Sequence, residues 1–473
     1  MEQKHAVSLL PALHELQSKC AKVSAEQDRR IADTLNLPLS QVAGAATFFS
    51  AFTGGDDGTV DETMFATPHG AKLLAGDPDY ASVRKMVEER PDLLALIDET
   101  HILGRSGSGF PMSTKWKMTA EVDGEEKYIV CNGSEGEGNT YKDAALFTHA
   151  PTAVIAGMVL CALVTGIRKG YLYIRAEYKN AYDAVCKAVK EAYDKNILGG
   201  DILGSGKAFD LEVVLGGGAY VSGEETGLLQ ALEGQRSEPR LKPPYPGVSG
   251  LYGKPTIINN AETFAAVTCL MQNGVEFFLE NGTETAGGTK LYTITGCVGS
   301  PGVYELPHKT TLAQAIQAAG GIQEDKAFKG IQIGGGATGS FGGRDVMDMV
   351  LDYDGCRRKG LSLGTGSIYC IAEDESVIAL CHNSIAFLAE QSCGMCAPCR
   401  YGLAEMRDHL ARIISGDATT EALEALENLA DYIGQNARCA LGQAAPGVFT
   451  TAYHAFPEEF RAACKEVETY AFL

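Results

Sequence analysis

Two stretches hold residues whose types and spacing could do chemistry. Cys393-Gly-Met-Cys-Ala-Pro-Cys399 is a C-x2-C-x2-C run, and a further cysteine follows at Cys439. Thiolates at that spacing can hold one side of a [4Fe–4S] cluster and need a fourth ligand from elsewhere in the chain. Zinc is the competitor, but it favours two separated C-x2-C pairs, and a third cysteine two residues on is unusual for it. The second stretch is Ile102-Leu-Gly-Arg-Ser-Gly-Ser-Gly-Phe-Pro-Met-Ser-Thr-Lys-Trp116. Gly104, Gly107 and Gly109 let backbone N–H groups approach a phosphate with no side chain in the way. Arg105 and Lys115 could neutralise that phosphate, and Phe110 offers a ring face to a planar heterocycle. The loop matches neither the P-loop nor the G-x-G-x-x-G pattern, and alone it reads equally as a tight turn.

The elements that must position these residues alternate between strand and helix. Lys127–Cys131, Gly170–Arg175 and Phe209–Leu215 read as strands, with helices over 151–164, 179–194 and 223–232. That order predicts a parallel α/β sheet, whose ligands sit beyond the carboxyl ends of the strands. Two loops at such ends combine glycines with paired carboxylates: Asn132-Gly-Ser-Glu-Gly-Glu-Gly138 and Gly216-Gly-Gly-Ala-Tyr-Val-Ser-Gly-Glu-Glu-Thr226. Glu135, Glu137, Glu224 and Glu225 could be helix N-terminal charges, or could bind ribose hydroxyls. A Pro/Gly-rich loop over 236–255 follows and ends at Thr256-Ile-Ile-Asn-Asn-Ala-Glu262. Residues 285–345 read as a small α+β unit, and the last hundred or so residues as helices. Residues 9–52 also read as helical, joined to the rest by a polar, glycine-rich segment.

Composition bounds the function class. The 473 residues suggest about three domains. With 45% hydrophobic residues and a mean hydropathy of -0.05, the chain has the balance of a soluble globular protein. Its net charge of -20 argues against a nucleic-acid surface. The first thirty or so residues lack the apolar core of a signal sequence. The uncharged run from Ala150 to Ile167 reads as a buried helix opened by Pro151, so no membrane segment is expected. Fourteen cysteines then point to a reducing compartment and to metal ligation rather than disulfides.

Together the motifs carry a resemblance. Over about 85–450 the chain resembles the NADH-binding, flavin-containing subunit of respiratory complex I and its soluble relatives in NAD-linked hydrogenases, formate dehydrogenases and modular reductases. The matching signatures are the Gly104–Trp116 loop, Asn132…Glu135…Glu137…Thr140-Tyr-Lys-Asp143, and Gly218-Ala-Tyr…Gly223-Glu-Glu-Thr226. Pro239-Arg-Leu-Lys-Pro-Pro-Tyr-Pro246, Asn259-Asn-Ala-Glu-Thr263 and Ser392-Cys-Gly-Met-Cys-Ala-Pro-Cys-Arg400 complete the set.

The resemblance implies FMN, NAD(H) and one [4Fe–4S] cluster. Gly104, Arg105, Gly107, Lys115, Asn132, Gly223, Glu224, Asn259 and Asn260 match residues around FMN. Phe110, Glu137, Glu225, Lys242 and Tyr245 match residues that receive NADH, with Phe110 and Tyr245 near the adenine. Glu135 matches a carboxylate close to flavin and nicotinamide and is the expected catalytic residue. Cys393, Cys396, Cys399 and Cys439 are the expected cluster ligands. The implied architecture is a helical head at 1–52, a linker at 53–84 and a flavin- and NADH-binding α/β domain at 85–284. A ubiquitin-like domain at 285–345 and a helical cluster domain at 346–473 follow. Such a subunit passes electrons to partner subunits that carry iron–sulfur clusters and the terminal catalytic site, in the cytoplasm or at the periphery of a membrane complex. The sequence leaves open the partner enzyme, the direction of flow and whether the flavin bifurcates electrons.

Departures from the family pattern concentrate in the pocket. Ser106 stands where glycine is usual, Ser134 where aspartate is usual, Met118 where an aromatic is usual, and Gly138-Asn139 replaces Pro-Gly. The alternative reading is therefore a scaffold that carries a cluster but has lost its flavin. The head resembles the helical part of the neighbouring small subunit, yet the cysteines before Cys393 are too scattered to hold that subunit's [2Fe–2S] cluster. The head then fills the docking surface of the missing subunit.

Overall fold

The computed structural model describes residues 9–19, 23–53 and 62–465. The start of the expected head, Cys20, the first part of the expected linker and the end of the last expected helix lie outside them. The chain divides into two compact units, the first made of Met1–Gly136, Tyr141–Tyr292 and Gly302–Lys309.

In the first unit, β1 (Tyr128–Gly133), β2 (Lys169–Ile174), β3 (Asp210–Leu215) and β4 (Thr256–Asn260) form one parallel sheet in the order β3-β2-β1-β4. The chain steps outward from β1 to β3 and returns to place β4 on the other side of β1. This reversal puts the switch point between β1 and β4, and in such sheets the crevice beyond the carboxyl ends at that point is where ligands bind. The sequence reading missed β4, because Thr-Ile-Ile-Asn-Asn is short and emerges directly from a Pro/Gly-rich loop. All five of its residues are buried.

Side chains alternate across the sheet as the two-residue period of a strand requires. On one face Ile129, Cys131, Leu172, Ile174 and Ile257 pack with the helices Pro151–Thr165 and Ala261–Asn281. A Cβ on Gly157 would run into the Phe264 carbonyl, so glycine is what lets these two helices touch backbone to backbone. Proline opens the first of them and Gly166, with φ 72°, closes it. Among the described residues no single helix is long and apolar enough to cross a membrane.

On the other face lie Tyr128, Val130, Tyr171, Tyr173 and Val214, and these are covered by the N-terminal helices Leu9–Gln17, Ala25–Leu35 and Leu39–Phe48. Leu9, Leu13, Val42, Phe49 and Phe52 are fully buried there. Ser24 and Gln27 form a reciprocal capping box at the start of the second helix. The head is thus one layer of the helix–sheet–helix sandwich. Residues 62–84, expected within a linker, instead put Phe65, Leu73, Tyr80 and Val83 into the core of the opposite face.

The second unit comprises Glu137–Thr140, Thr293–Pro301 and Thr310–Leu473. β5 (Thr289–Gly296) leaves the first unit and runs into it; β6 (Gly302–Pro307) lies in the first. In the second unit, β9 (Ser367–Ala372) pairs in parallel with Thr293–Gly296 of β5 and antiparallel with β7 (Phe328–Ile333). The short β8 (Ser340–Gly342) is antiparallel to β7. β9 comes from a stretch that the sequence reading left without a strand. Helices follow at Val377–Glu390, Ala397–Ile414 and Glu421–Asn436, then shorter ones to Ala462.

Candidate functional site

The ends of β1 and β4 are tied together by asparagines. Asn132 and Asn260 stand in register across the two strands. Asn260 Nδ2 donates to Asn132 O at 3.0 Å and to Asp143 Oδ2 at 2.6 Å. Its Oδ1 accepts from Glu262 N at 3.1 Å, which makes it the N-cap of the helix Ala261–Asn281, and from Lys142 Nζ at 2.8 Å. Asn132 Nδ2 donates to Gly223 O at 2.9 Å and Asn259 Oδ1 accepts from Trp116 Nε1 at 2.9 Å. The loops after β1 and β3 therefore meet over the crevice. A Cβ on Gly223 would stand 3.2 Å from Ser134 O, and one on Gly136 would stand 2.8 Å from the Tyr220 ring. Side chains are excluded where the loops meet, and a surface of backbone there suits a flat, phosphorylated ligand such as FMN.

The glycine loop at 104–110 closes on itself, with Gly104 N donating to Phe110 O at 2.9 Å and Gly109 N to Gly104 O at 3.2 Å. Gly107 and Gly109 take φ values of 109° and 56°. Arg105 corrects an expectation: its side chain does not face a phosphate. It is buried, with its guanidinium donating to Thr289 O and to Gly287 O and facing Glu262 at 3.7 Å. Its backbone is held as firmly, N–H by Thr263 Oγ1 at 3.0 Å and carbonyl by Lys290 Nζ at 3.0 Å. Side chain and backbone of Arg105 together fix the position of the loop.

Behind the loop lies a buried charge network that the sequence reading did not assemble. Glu262 faces Lys290 Nζ at 2.9 Å, Lys142 Nζ at 3.6 Å and Arg105. Burial alone would raise the Glu262 pKa, but the three cations hold it below the ordinary value. Burial pushes Lys290 down to about 8, against the pull of Glu262. Asp143 accepts from Lys142 at 2.6 Å. Lys142, Asp143 and Glu262 stood in quoted motifs, whereas Lys290 carried no local signal.

Glu135 is buried and fully engaged. Its carboxylate accepts from the N–H groups of Asp143 at 3.0 Å and Ala144 at 3.2 Å, at the start of the helix Lys142–His149, and from Tyr178 OH at 3.0 Å. Burial, then the neighbouring Asp143 carboxylate, push its pKa up to about 7. The helix-terminal reading of this residue is thus physically present, alongside any role toward a ligand. Glu137 is not among the first unit's residues. It falls in the second unit, accepting from Ala337 N at 3.0 Å, Thr338 N at 3.3 Å and Thr338 Oγ1 at 2.6 Å.

Glu224 caps the helix Glu225–Leu232 through the N–H groups of Thr226 and Gly227. Lys242 Nζ lies 2.9 Å from Glu224 and 2.7 Å from Glu225, and Lys115 Nζ lies 3.7 Å from Glu225. Burial would raise the Glu225 pKa, yet Lys115 and Lys242 bring it below the ordinary value. Two carboxylates and two ammoniums form a locally neutral, mostly buried quartet. Lys115 also donates to Ile258 O at 3.0 Å, which fixes it beside β4. Phe110 and Tyr245 are 44% and 60% exposed, so both rings have free faces.

In the second unit, Cys396 is the N-cap of the helix Ala397–Ile414 and Cys439 that of the helix Ala440–Ala444, while Cys399 lies buried in the first of these helices. Burial first, then Cys396, Cys439 and Cys393, push the Cys399 thiol up to about 11, so all four cysteines share one neighbourhood. Ser392 Oγ is 3.3 Å from Cys399 Sγ, and a Cβ on Gly442 would stand 3.6 Å from that sulfur. Four thiols in one neighbourhood fit a [4Fe–4S] cluster. Among the described residues no tight group of three His, Cys, Asp or Glu side chains is poised for a single metal ion.

Three family models match the chain: the Nuo51 FMN-binding domain at residues 97–269, the SLBB domain at 291–348, and the NADH-ubiquinone oxidoreductase-F iron-sulfur binding region at 379–463. The F 2 subunit of NADH-quinone oxidoreductase from Rhizobium meliloti (strain 1021) is 38% identical over 390 residues, covering 82% of this chain and 92% of the relative. The HndC subunit of the NADP-reducing hydrogenase from Solidesulfovibrio fructosivorans is 35% identical over 385 residues, 81% of this chain and 78% of the relative. In fold, a chain of an NAD+-reducing [NiFe]-hydrogenase in the H2-reduced state matches with a TM-score of 0.86 at 24% identity, over 98% of this chain and 93% of that one. With the FMN-binding and iron–sulfur regions in the same order and relatives this similar over four-fifths of its length, the chain belongs to the family of NADH-quinone oxidoreductase F subunits.

Proposed function

We propose that the crevice beyond β1 and β4 holds FMN and receives NADH, and that Cys393, Cys396, Cys399 and Cys439 hold the [4Fe–4S] cluster. FMN held there would supply the exchange between the paired electrons of NADH and the single electrons an iron–sulfur cluster takes up. The chain's own contribution is position and electrostatics. Asn132, Asn259 and Asn260 fix the strand ends, and Gly104, Gly107 and Gly223 present backbone. Arg105 locks the loop from behind, and Lys115 and Glu224 line the entrance. Phe110 and Tyr245 supply exposed ring faces for the adenine, with Lys242 and Glu225 beside the ribose. Glu135, buried and close to neutral pH in its titration, contacts the reacting end of the nucleotide. For Glu137 we propose, on its motif alone, a further carboxylate toward NADH.

The observation that carries this reading is the cross-bonded Asn132–Asn260 pair at the point where strand order reverses. Titration of the purified protein with FMN, followed by quenching of flavin fluorescence, tests it. Asn132→Leu should weaken FMN binding about ten-fold or more, since the half-buried Gly223 carbonyl and the Ser134 N–H both lose their partner. Unaltered binding by that variant contradicts the placement.

The expected partners are redox subunits that carry iron–sulfur clusters and the terminal catalytic centre. The relatives' names describe quinone- and hydrogenase-linked assemblies. A cytoplasmic location is supported by fourteen cysteines with no disulfide among the described residues.

A further inference from the structure

We propose that the N-terminal head is a positioning element of the nucleotide site, acting on the glycine loop after β3 and on the helix that carries Glu225; this rests on the functional reading above. Gly216, Gly217 and Gly218 open the segment that ends in Gly223, Glu224 and Glu225. Each of their three successive carbonyls accepts a hydrogen bond from the head. His14 Nε2 donates to Gly216 O at 2.7 Å, Ala51 N–H donates to Gly217 O at 3.1 Å, and the Ser50 hydroxyl donates to Gly218 O.

Packing is as close as the bonding. A Cβ on Gly217 would overlap the Phe49 ring, and one on Gly218, where φ is +77°, would overlap Ser50 Oγ. The approach of the head therefore requires glycine at both positions. A run of three glycines has no side chains to anchor it and loses the most conformational freedom on ordering. Outside bonds must hold it, and the head supplies one at each residue.

The head also grips the far end of the same segment. Gln41 Nε2 donates to Glu233 O at 3.2 Å and Gly234 O at 3.1 Å, just beyond the helix Glu225–Leu232. Leu228, Leu229 and Leu232 of that helix share the head's core. The stretch from Gly216 to Gly234 is thus fixed at both ends and along one side by the head. Toward the site it is tied through Gly223 to Asn132 and through Glu224 and Glu225 to Lys242 and Lys115, and Arg240 bonds Thr226 and Glu233 from outside the head. Losing the head's bonds to this stretch shifts Glu224 and Glu225, while Asn259 stays held by Trp116 and the 104–110 loop by its own bonds.

The test compares steady-state kinetics with an artificial electron acceptor, FMN content and thermal stability across variants of the whole chain. His14→Phe with Ser50→Ala removes two of the loop bonds while keeping the ring that packs on Phe52. We expect KM for NADH to rise about ten-fold, kcat to change less, and FMN content to hold. Ser50→Thr, which keeps the hydroxyl, should restore most of the affinity. Ile31→Ala, buried in the head away from the loop bonds, should lower the melting temperature and leave KM near the wild-type value. A wild-type KM in the double variant, or a KM that tracks melting temperature in Ile31→Ala as well, overturns the inference. Wild-type protein that NADH does not reduce at all defeats the functional reading itself, and the inference with it.

Discussion

The two cofactor regions are built on opposite principles. In the first unit the proposed ligand-facing surface is mostly backbone, and the side chains that matter stand behind it, already paired: Asn260 in four hydrogen bonds, Arg105 held at both ends, Glu262 among three cations. In the second unit the proposed ligands are themselves side chains, four thiols near helix starts. A large planar ligand needs a preformed shape, which only a rigid supporting network provides. A cluster supplies its own bonds and needs donors of the right kind within reach. Perturbing the first site should therefore act through its support, and perturbing the second through its ligands alone.

The largest effect should come from one of the proposed cluster ligands. Cys399→Ser is expected to abolish the cluster, seen as loss of bound iron and of its visible absorbance, with FMN content unchanged. Flavin loss in the same variant would break the contrast. Next, Lys290→Met removes a fully buried partner of Glu262 and the anchor of the Arg105 carbonyl. Breaking such a pair costs about 3 kcal/mol, so thermal unfolding should shift downward and FMN occupancy should fall, with iron content maintained.

A smaller effect is expected at Glu225. A carboxylate beside the ribose would repel the 2′-phosphate of NADPH, but Lys115 and Lys242 neutralise much of its charge. Glu225→Gln should accordingly lower the preference for NADH over NADPH by only about ten-fold, on the order of the interaction of two charges near solvent. Relative kcat/KM values measure it. No change would show that the lysines already cancel the charge.

Glu135 gives the smallest effect and the most defined sign. Its pKa in the folded protein is raised to about 7, chiefly by burial. A group of this kind contributes stability that is fully present below its unfolded value and is lost as pH rises through its folded one. The melting temperature of the wild type should therefore fall between about pH 4.5 and 7, and Glu135→Gln should flatten that slope by a few degrees, about 2–4 °C.

The same contrast explains what was legible in the sequence. The proposed cluster site could be read from Cys393, Cys396 and Cys399 because its candidate ligands are local and of one residue type. The flavin site could be read only as separate motifs, since Asn132 and Asn260 meet through strand order and β4 gives almost no periodic signal. Lys290 was invisible because a single lysine in a strand says nothing until burial places Glu262 beside it. The carboxylate pairs resisted a choice between helix cap and ligand for a physical reason: Glu224 is a cap and also pairs with Lys242. Arg105 misled because a cation in a glycine loop suggests phosphate, whereas here the side chain turns inward to backbone carbonyls. The head's layer against the sheet was missed because its helices are short and its apolar residues carry no mark of what they cover.

The most direct test of the account is an anaerobic titration with NADH, read by flavin absorbance and by EPR of the cluster. Bleaching of the flavin together with a reduced-cluster signal is the predicted result. A cluster that responds to dithionite, in a protein with no flavin and no response to NADH, would contradict it and leave a scaffold.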